Sequence, residues 1–301
     1  MKCCLSPAYA GLFLFNSFIK IFIFAGIAKD LVENAMVEPL IHEISCLIGY
    51  TKTDYLHMNK FFGYILTPFH YLYFGLILVI FHPIQWICLK LGGYEAHKRS
   101  VDILNWFLTS SYYLLGNSVH FINNQQLPVA QPIIFIANHQ SMYDIPPLIY
   151  FLRKHHAKFV SKIELASGIP SISFNLKYGG AANIDRSDPK QSIAEILKLA
   201  KNMKDKNWST VIFPEGTRSK TGVMKPFAVG GIATILKKVP HAIIVPVVIN
   251  NSWKMVQYGS FPLRAFTAMS WEVLAPISSE GRTAEDVVKA AEEAIREKVV
   301  P

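Results

Sequence analysis

The chain has 301 residues, 51% of them hydrophobic, with a mean hydropathy of +0.27 and a formal net charge of +9. That length holds one large domain plus membrane segments, and the apolarity exceeds what an ordinary soluble protein of this size carries. The basic excess is not gathered into one block and no nucleic-acid-binding module accompanies it, so no nucleic-acid partner is expected and anionic lipid headgroups are the better match.

In chain order, residues 1–60 read as an N-terminal membrane-associated segment. Lys20 divides the apolar stretch 8–28, and a Lys at the centre of a span costs about 2.5–3.5 kcal/mol. A span with a snorkelling Lys and a helix lying in the interface both stay open. A cleaved signal peptide lacks a small-residue cleavage site at the right place. Residues 29–60 mix Leu and Ile with Glu and His around Pro39. Residues 61–89 contain no Asp, Glu, Lys or Arg. A stretch of that length suits a transmembrane helix better than a buried core helix. Pro68 and Pro83 lie near its ends, and Tyr64, Tyr71, Tyr73 and Trp86 supply aromatic anchors. Lys90, Lys98 and Arg99 follow it, whereas Lys52 and Lys60 precede it with Asp54 between them. That bias puts the C-terminal side in the cytoplasm. The cysteines, at positions 3, 4, 46 and 88, show no Cys-x-x-Cys or zinc spacing and read as small apolar residues in or near membrane segments. No metal site is expected.

Residues 90–128 read as a helical connector. Leu104, Phe107, Leu108 and Ser111 lie at helical spacing, and Gly116 and Asn117 suggest the stop. From 129 to 301 strands and helices alternate. Strands are predicted at 133–137, 158–161, 210–213, 242–249 and 268–274, and helices at 145–152 and 231–238. A third helix follows Asp188-Pro189, an N-cap with a first-turn Pro, and buries Ile193, Ile196, Leu197 and Ala200. The last opens with the capping pattern Thr283-Ala284-Glu285-Asp286 and buries Val287, Ala291, Ile295 and Val299. This alternation predicts an α/β domain, a mostly parallel sheet flanked by helices and preceded by N-terminal membrane helices.

Two polar clusters stand where buried strands end. One is Asn138-His139-Gln140-Ser141-Met142-Tyr143-Asp144, after the apolar run 133–137. The other is Phe213-Pro214-Glu215-Gly216-Thr217-Arg218-Ser219. Loops at strand ends are where α/β proteins collect their sites. A His with a carboxylate on its far ring nitrogen suits proton abstraction near neutral pH. On one helix the two would stand about 140° apart. They meet only if His139 lies on a loop and Asp144 in the first helical turn, which Pro146 and Pro147 favour. Otherwise Asp144 closes a capping box with Ser141, and His139 is a bonded loop residue. Arg218 follows a Gly turn whose N–H groups can also face an anion.

The two clusters together resemble the glycerophospholipid acyltransferase family. Its Asn-His-x4-Asp pattern matches Asn138, His139 and Asp144, and its Phe-Pro-Glu-Gly-Thr-Arg-Ser block matches residues 213–219 throughout. Gly180-Ala181-Ala182-Asn183-Ile184-Asp185-Arg186 fits a further block, apart from Asn183 where an aromatic or aliphatic residue is usual. Val245-Pro246-Val247 fits the fourth, and Lys162-Ile163-Glu164-Leu165 fits the Lys-x-Glu-Leu stretch. Phe227-Ala228-Val229-Gly230 departs from the frequent Phe-Lys-x-Gly, so Lys225 or another group must stand in for that Lys. The resemblance covers about residues 129–275.

It implies a glycerol-3-phosphate acyltransferase-like fold and transfer of a fatty acyl group from acyl-CoA or acyl-carrier protein to the sn-2 hydroxyl of 1-acyl-glycerol-3-phosphate, giving phosphatidic acid for phospholipid synthesis. His139 and Asp144 are then the catalytic pair. Arg186 and Arg218 bind phosphate, with Lys162, Glu215, Gly216 and Thr217 completing the substrate site. Arg186 could instead pair with Asp185 or Asp188, Lys162 could be a solvated Lys beside Glu164, and Glu215 could hold acceptor hydroxyls or order its turn. Gly216 permits close backbone approach. No cofactor beyond the acyl donor is implied, and the partners are the lysophospholipid acceptor, the thioester donor and membrane lipid. The catalytic domain is expected in the cytoplasm, held at a membrane. A different lysolipid acceptor, such as a lyso-aminolipid, is one alternative. A catalytically silent membrane-binding protein is another, although it predicts loss of His139 or Asp144. A serine hydrolase is disfavoured because Gly116-Asn117-Ser118-Val119-His120 lacks the second Gly of a nucleophile elbow.

Overall fold

The computed structural model describes residues 52–300. The readings made for the stretch 8–28, for Pro39 and for Cys3, Cys4 and Cys46 lie outside the described residues. Helix α1 (Lys52–Ser110) is two helical arms merged across Gly93, whose φ of 68° and ψ of −161° break the helix. A residue with a Cβ rarely adopts that conformation. A 3-10 turn and the left-handed Gly116 (φ 67°) end the second arm.

The remaining elements are β1 (Ser118–Asn123), β2 (Ile133–Ala137), α2 (Ile145–Phe151), β3 (Ala157–Lys162), α3 (Ile172–Tyr178), β4 (Ala182–Ile184), α4 (Pro189–Lys206), β5 (Ser209–Ile212), α5 (Gly230–Lys238), β6 (Ile243–Asn250), α6 (Ser252–Met255), β7 (Ala268–Val273) and α7 (Ala284–Lys298). The strands form one seven-stranded sheet in the order β1-β7-β6-β2-β5-β3-β4. Every pairing is parallel except β6 with β7. The α/β expectation is met.

β2 is buried at every position, as a strand covered on both faces must be. Its side chains alternate between two cores. Ile134 and Ile136 pack with Leu199, Met203, Ile232, Ile235, Val287 and Ile295 from α4, α5 and α7. Ile133, Phe135 and Ala137 pack with Tyr112, Leu148, Leu152 and Trp271 on the other side. Pro246 sits in β6 opposite Ile136, although Pro lacks a ladder donor. Its carbonyl accepts from Leu274 on the β7 side, just before that ladder starts at Val247. The missing N–H thus falls at the end of the ladder.

Two expectations change. Residues 118–123, assigned to the connector, are a strand of the sheet, paired in parallel with β7 from Ser118↔Ala268 to Asn123↔Val273. The buried face of α4 is Ile196, Leu199, Ala200 and Met203. Ile193 and Leu197 are 49% and 41% exposed, so the true stripe lies one helical step round from the one expected.

The first arm of α1 carries a narrow buried stripe of Gly63, Thr67, His70, Leu78 and Phe81. A Cβ at Gly63 would collide with the Leu263 carbonyl, so glycine is what permits this contact. The Leu263 N–H donates to Thr67 Oγ1 at 2.9 Å, and the Ser171 N–H donates to His82 Nδ1 at 3.0 Å. The other face is apolar and exposed through Phe61, Phe69, Leu72, Leu76, Val79, Ile87 and Leu91. Among the described residues this is the one helix long and apolar enough to cross a membrane.

Candidate active site

β2, β5, β3 and β4 are neighbours and parallel, so their C-terminal ends open on one edge of the sheet. His139 follows β2, Glu215 to Arg218 follow β5, Lys162 ends β3, and Arg186 follows β4. At about 4.8 Å per strand this row is roughly 14 Å long. Residues from 139 to 218 are thereby set side by side.

Asn138 starts the loop by acting as one more rung of the sheet. Its Nδ2 donates to the Ile249 carbonyl at 2.8 Å, and its Oδ1 accepts the Ile249 N–H at 2.7 Å. Ser141 then caps a 3-10 turn at 142–144, and Asp144 returns the bond, completing a capping box. His139 stands before this turn and Asp144 at its end. His139 Nδ1 lies 2.8 Å from Asp144 Oδ2. The capping box and the His–Asp pair, weighed as alternatives from the sequence, are both present on the same carboxylate.

Asp144 is completely buried, a costly place for a carboxylate unless donors surround it. Besides the imidazole, Oδ2 accepts the N–H of Gln140 at 2.7 Å and of Ser141 at 3.0 Å. Oδ1 accepts the hydroxyls of Ser141, at 3.3 Å, and of Ser252. With Nδ1 engaged, Nε2 is the nitrogen His139 can present to a substrate. The imidazole stacks on Phe213, centroids 4.1 Å apart and planes inclined by 18°.

The β5 loop is tied to this pair. Glu215 Oε1 accepts the His139 N–H at 2.7 Å, Oε2 accepts the Lys225 N–H at 2.9 Å, and Ser219 N–H donates to the His139 carbonyl at 2.8 Å. Burial pushes the Glu215 carboxyl above its ordinary value, opposed by those two N–H donors. Both Glu215 oxygens are occupied by backbone, so the side chain orders the turn. Gly216 has φ 70°, and a Cβ there would meet no protein atom within 4 Å. The turn conformation requires this glycine; packing against protein does not. Thr217 Oγ1 accepts Lys225 Nζ at 2.6 Å, which brings Lys225 onto the same loop.

Arg218, Arg186 and Lys162 are exposed. The surface pairing considered for Arg186 is not formed. Asp185 instead accepts from the Ser187 N–H and hydroxyl, and Asp188 caps α4 through the N–H groups of Lys190 and Gln191. Lys162 forms no ion pair with Glu164 among the described residues. Asn183, the departure within its block, is used internally: Ser161 Oγ donates to its Oδ1 at 2.8 Å and its Nδ2 donates to the Leu176 carbonyl at 2.7 Å. Phe213 and Ser252 were not anticipated as site residues. Phe213 was visible only as the first residue of its block and Ser252 not at all, because each reaches the pair from the end of another strand.

The Acyltransferase family profile matches residues 118–250, from the first residue of β1 to the last of β6. Human 1-acyl-sn-glycerol-3-phosphate acyltransferase beta is 27% identical over 220 residues, covering 72% of this chain and 76% of its own. The Saccharomyces cerevisiae 1-acyl-sn-glycerol-3-phosphate acyltransferase is 30% identical over 215 residues, 66% of this chain and 65% of its own. The crystal structure of the 1-acyl-sn-glycerophosphate acyltransferase PlsC from Thermotoga maritima has a TM-score of 0.64 at 21% identity, covering 80% of this chain and 97% of that one. That last likeness shows the fold. Together with the matched motif blocks, these relationships show that residues 118–250 form a domain of the Acyltransferase family and that the chain is an acyltransferase.

Proposed function

We propose that the protein transfers a fatty acyl group from an acyl-CoA or acyl-carrier-protein thioester to the sn-2 hydroxyl of 1-acyl-glycerol-3-phosphate, yielding phosphatidic acid. The observation that carries this reading is the 2.8 Å His139–Asp144 pair on the same sheet edge as Arg218, Arg186 and Lys162. His139 Nε2 takes the proton of the acceptor hydroxyl as its oxygen attacks the thioester carbonyl. A C–O bond forms, and the carbonyl oxygen becomes an oxyanion. Collapse breaks the C–S bond, and the leaving thiolate receives the proton from the imidazolium. Asp144 holds the tautomer with Nδ1–H and stabilises the imidazolium, while Phe213 fixes the ring plane.

The acceptor phosphate is assigned to Arg218, with Arg186 and Lys162 along the row and the Gly216–Thr217 turn beneath it. An exposed guanidinium can take phosphate bidentately. Glu215 contributes by tying the loop to His139. The reaction so written needs no metal and no cofactor beyond the donor. The printed names of the human and yeast relatives support the acceptor. The exposed apolar face of α1 supports an enzyme held in the membrane, with the domain on the cytoplasmic side, where acyl thioesters are found.

The test is an acceptor panel. Purified protein in detergent is given labelled acyl-CoA with lysophosphatidic acid, lysophosphatidylcholine, lysophosphatidylethanolamine or a lyso-aminolipid. Labelled phosphatidic acid as the dominant product supports the assignment. Faster turnover of an acceptor without a terminal phosphate overturns it.

A further inference from the structure

We propose that Ser252 is a positioning residue for the His139–Asp144 pair, acting through the Asp144 carboxylate from outside every matched motif. The inference rests on the role proposed above for His139. Ser252 opens the short helix α6 at the end of β6, after Asn251 in a left-handed conformation (φ 65°). It is completely buried. Its hydroxyl donates to Asp144 Oδ1, and its N–H donates to Gln140 Oε1 at 3.0 Å. The Gln140 N–H in turn reaches Asp144 Oδ2 at 2.7 Å. These bonds close a ring through Asp144, Ser252 and Gln140.

The two carboxylate oxygens have different surroundings. Oδ2 is held by donors of the 139–141 loop alone. Oδ1 receives Ser141 from that loop at a long 3.3 Å, and Ser252 from the end of β6. Among the described residues Ser252 is thus the side chain that fixes the carboxylate's rotation relative to the sheet. Its neighbour Trp253 packs against Gly222 of the loop that carries Arg218, where a Cβ would collide with the indole. One helical turn therefore abuts both halves of the site.

A donor on Oδ1 draws negative charge away from the imidazole side. Without it, the carboxylate holds the imidazolium proton more tightly. The His139 titration midpoint must rise, and proton return to the leaving thiolate must slow.

The experiment uses full-length protein in detergent with histidine-selective isotope labelling, the His139 signal being assigned from a His139→Gln sample. Ser252→Ala removes the hydroxyl, and Ser252→Cys keeps a side-chain atom in its place, somewhat larger and a much weaker donor. Both are expected to raise the His139 midpoint above that of the wild-type protein. Turnover is expected to fall on the order of ten- to a hundredfold, the worth of a hydrogen bond to a charged group, with acceptor KM within about twofold. Should Ser252→Ala not fold, Ser252→Cys gives the same readout. A wild-type midpoint in the folded variants overturns the proposal, even if turnover has dropped, because a packing role leaves the midpoint in place. If no lysolipid is acylated by the wild-type protein, the functional reading fails, while the midpoint still decides the role of Ser252.

Discussion

His139 meets Asp144 because a helix starts between them. The loop residue faces forward and the carboxylate returns at the end of the 3-10 turn, where five donor groups surround it. Beside this tightly bonded pair, Arg218 has no ion-pair partner among the described residues. Under the proposed function that contrast separates orienting residues from binding residues, and it predicts different kinetic faults. Arg218→Ala should raise the KM for 1-acyl-glycerol-3-phosphate by an amount corresponding to about 1.5–3 kcal/mol, with donor KM little changed. Steady-state kinetics with a phosphate-free lysolipid is the control. Equal weakening for that acceptor would assign Arg218 a structural task. The spacing of His139 and Asp144 and the Arg-bearing Gly turn were legible in the sequence because each is a local pattern. The Phe213 stack and the Ser252 hydroxyl were not, because they depend on which strand ends are neighbours, and sequence spacing does not carry that information.

Local pattern also explains what was readable of the elements. Pro189 after Asp188 and the Thr283–Asp286 box mark helix starts by their own chemistry, and both caps are formed. The face of α4 was misjudged because Ile193 and Leu197 keep helical spacing yet point to solvent, while Leu199 and Met203 complete the buried stripe. Spacing alone does not choose between adjacent stripes. β1 was missed because its side chains are only partly covered. Its sequence therefore lacks the continuous apolar run that announced β2. β3 offers a pH test. Lys158, near its start, places Nζ 5.1 Å from the Tyr94 ring centroid and 4.8 Å from that of Trp208. Burial, and then the Lys98 charge, push its amine down to about 7, opposed by Asp102 and Glu95. An unfolded chain keeps that proton up to roughly pH 10. Between about pH 7 and 10 the unfolded state therefore binds more protons, and folding stability rises with pH across that window. Lys158→Met should flatten the rise and stabilise the protein at pH 6.5 by about 1–3 kcal/mol, a range that allows for partial screening. Thermal unfolding in detergent at pH 6.5 and 9.5 measures it. An unchanged difference between the two temperatures would mean the amine is charged throughout.

At the scale of the molecule, two surfaces dominate: the strand-end row of the acyltransferase domain and the apolar outer face of α1. Leu72 and Leu91 are 70% and 85% exposed on that face. Each such side chain gains about 1.5–3 kcal/mol on leaving water, which supports the proposal that this face lies in lipid. Alkaline carbonate washing should leave the protein in the membrane pellet, whereas release to the supernatant would mean that charge alone holds it. The apolar helix at 61–89 was legible as an uncharged run. Its contact with the domain through Gly63, Thr67 and His82 was not, because the partners Leu263 and Ser171 lie far along the chain. The account as a whole depends on His139 Nε2 acting as the base of an acyl transfer. The most direct measurement is labelled phosphatidic acid formed from lysophosphatidic acid and acyl-CoA by wild-type protein and by His139→Ala, with folding matched by thermal unfolding. Turnover should fall by roughly 10²–10⁴, the usual worth of a positioned general base, and a variant keeping more than about half of wild-type activity would contradict it.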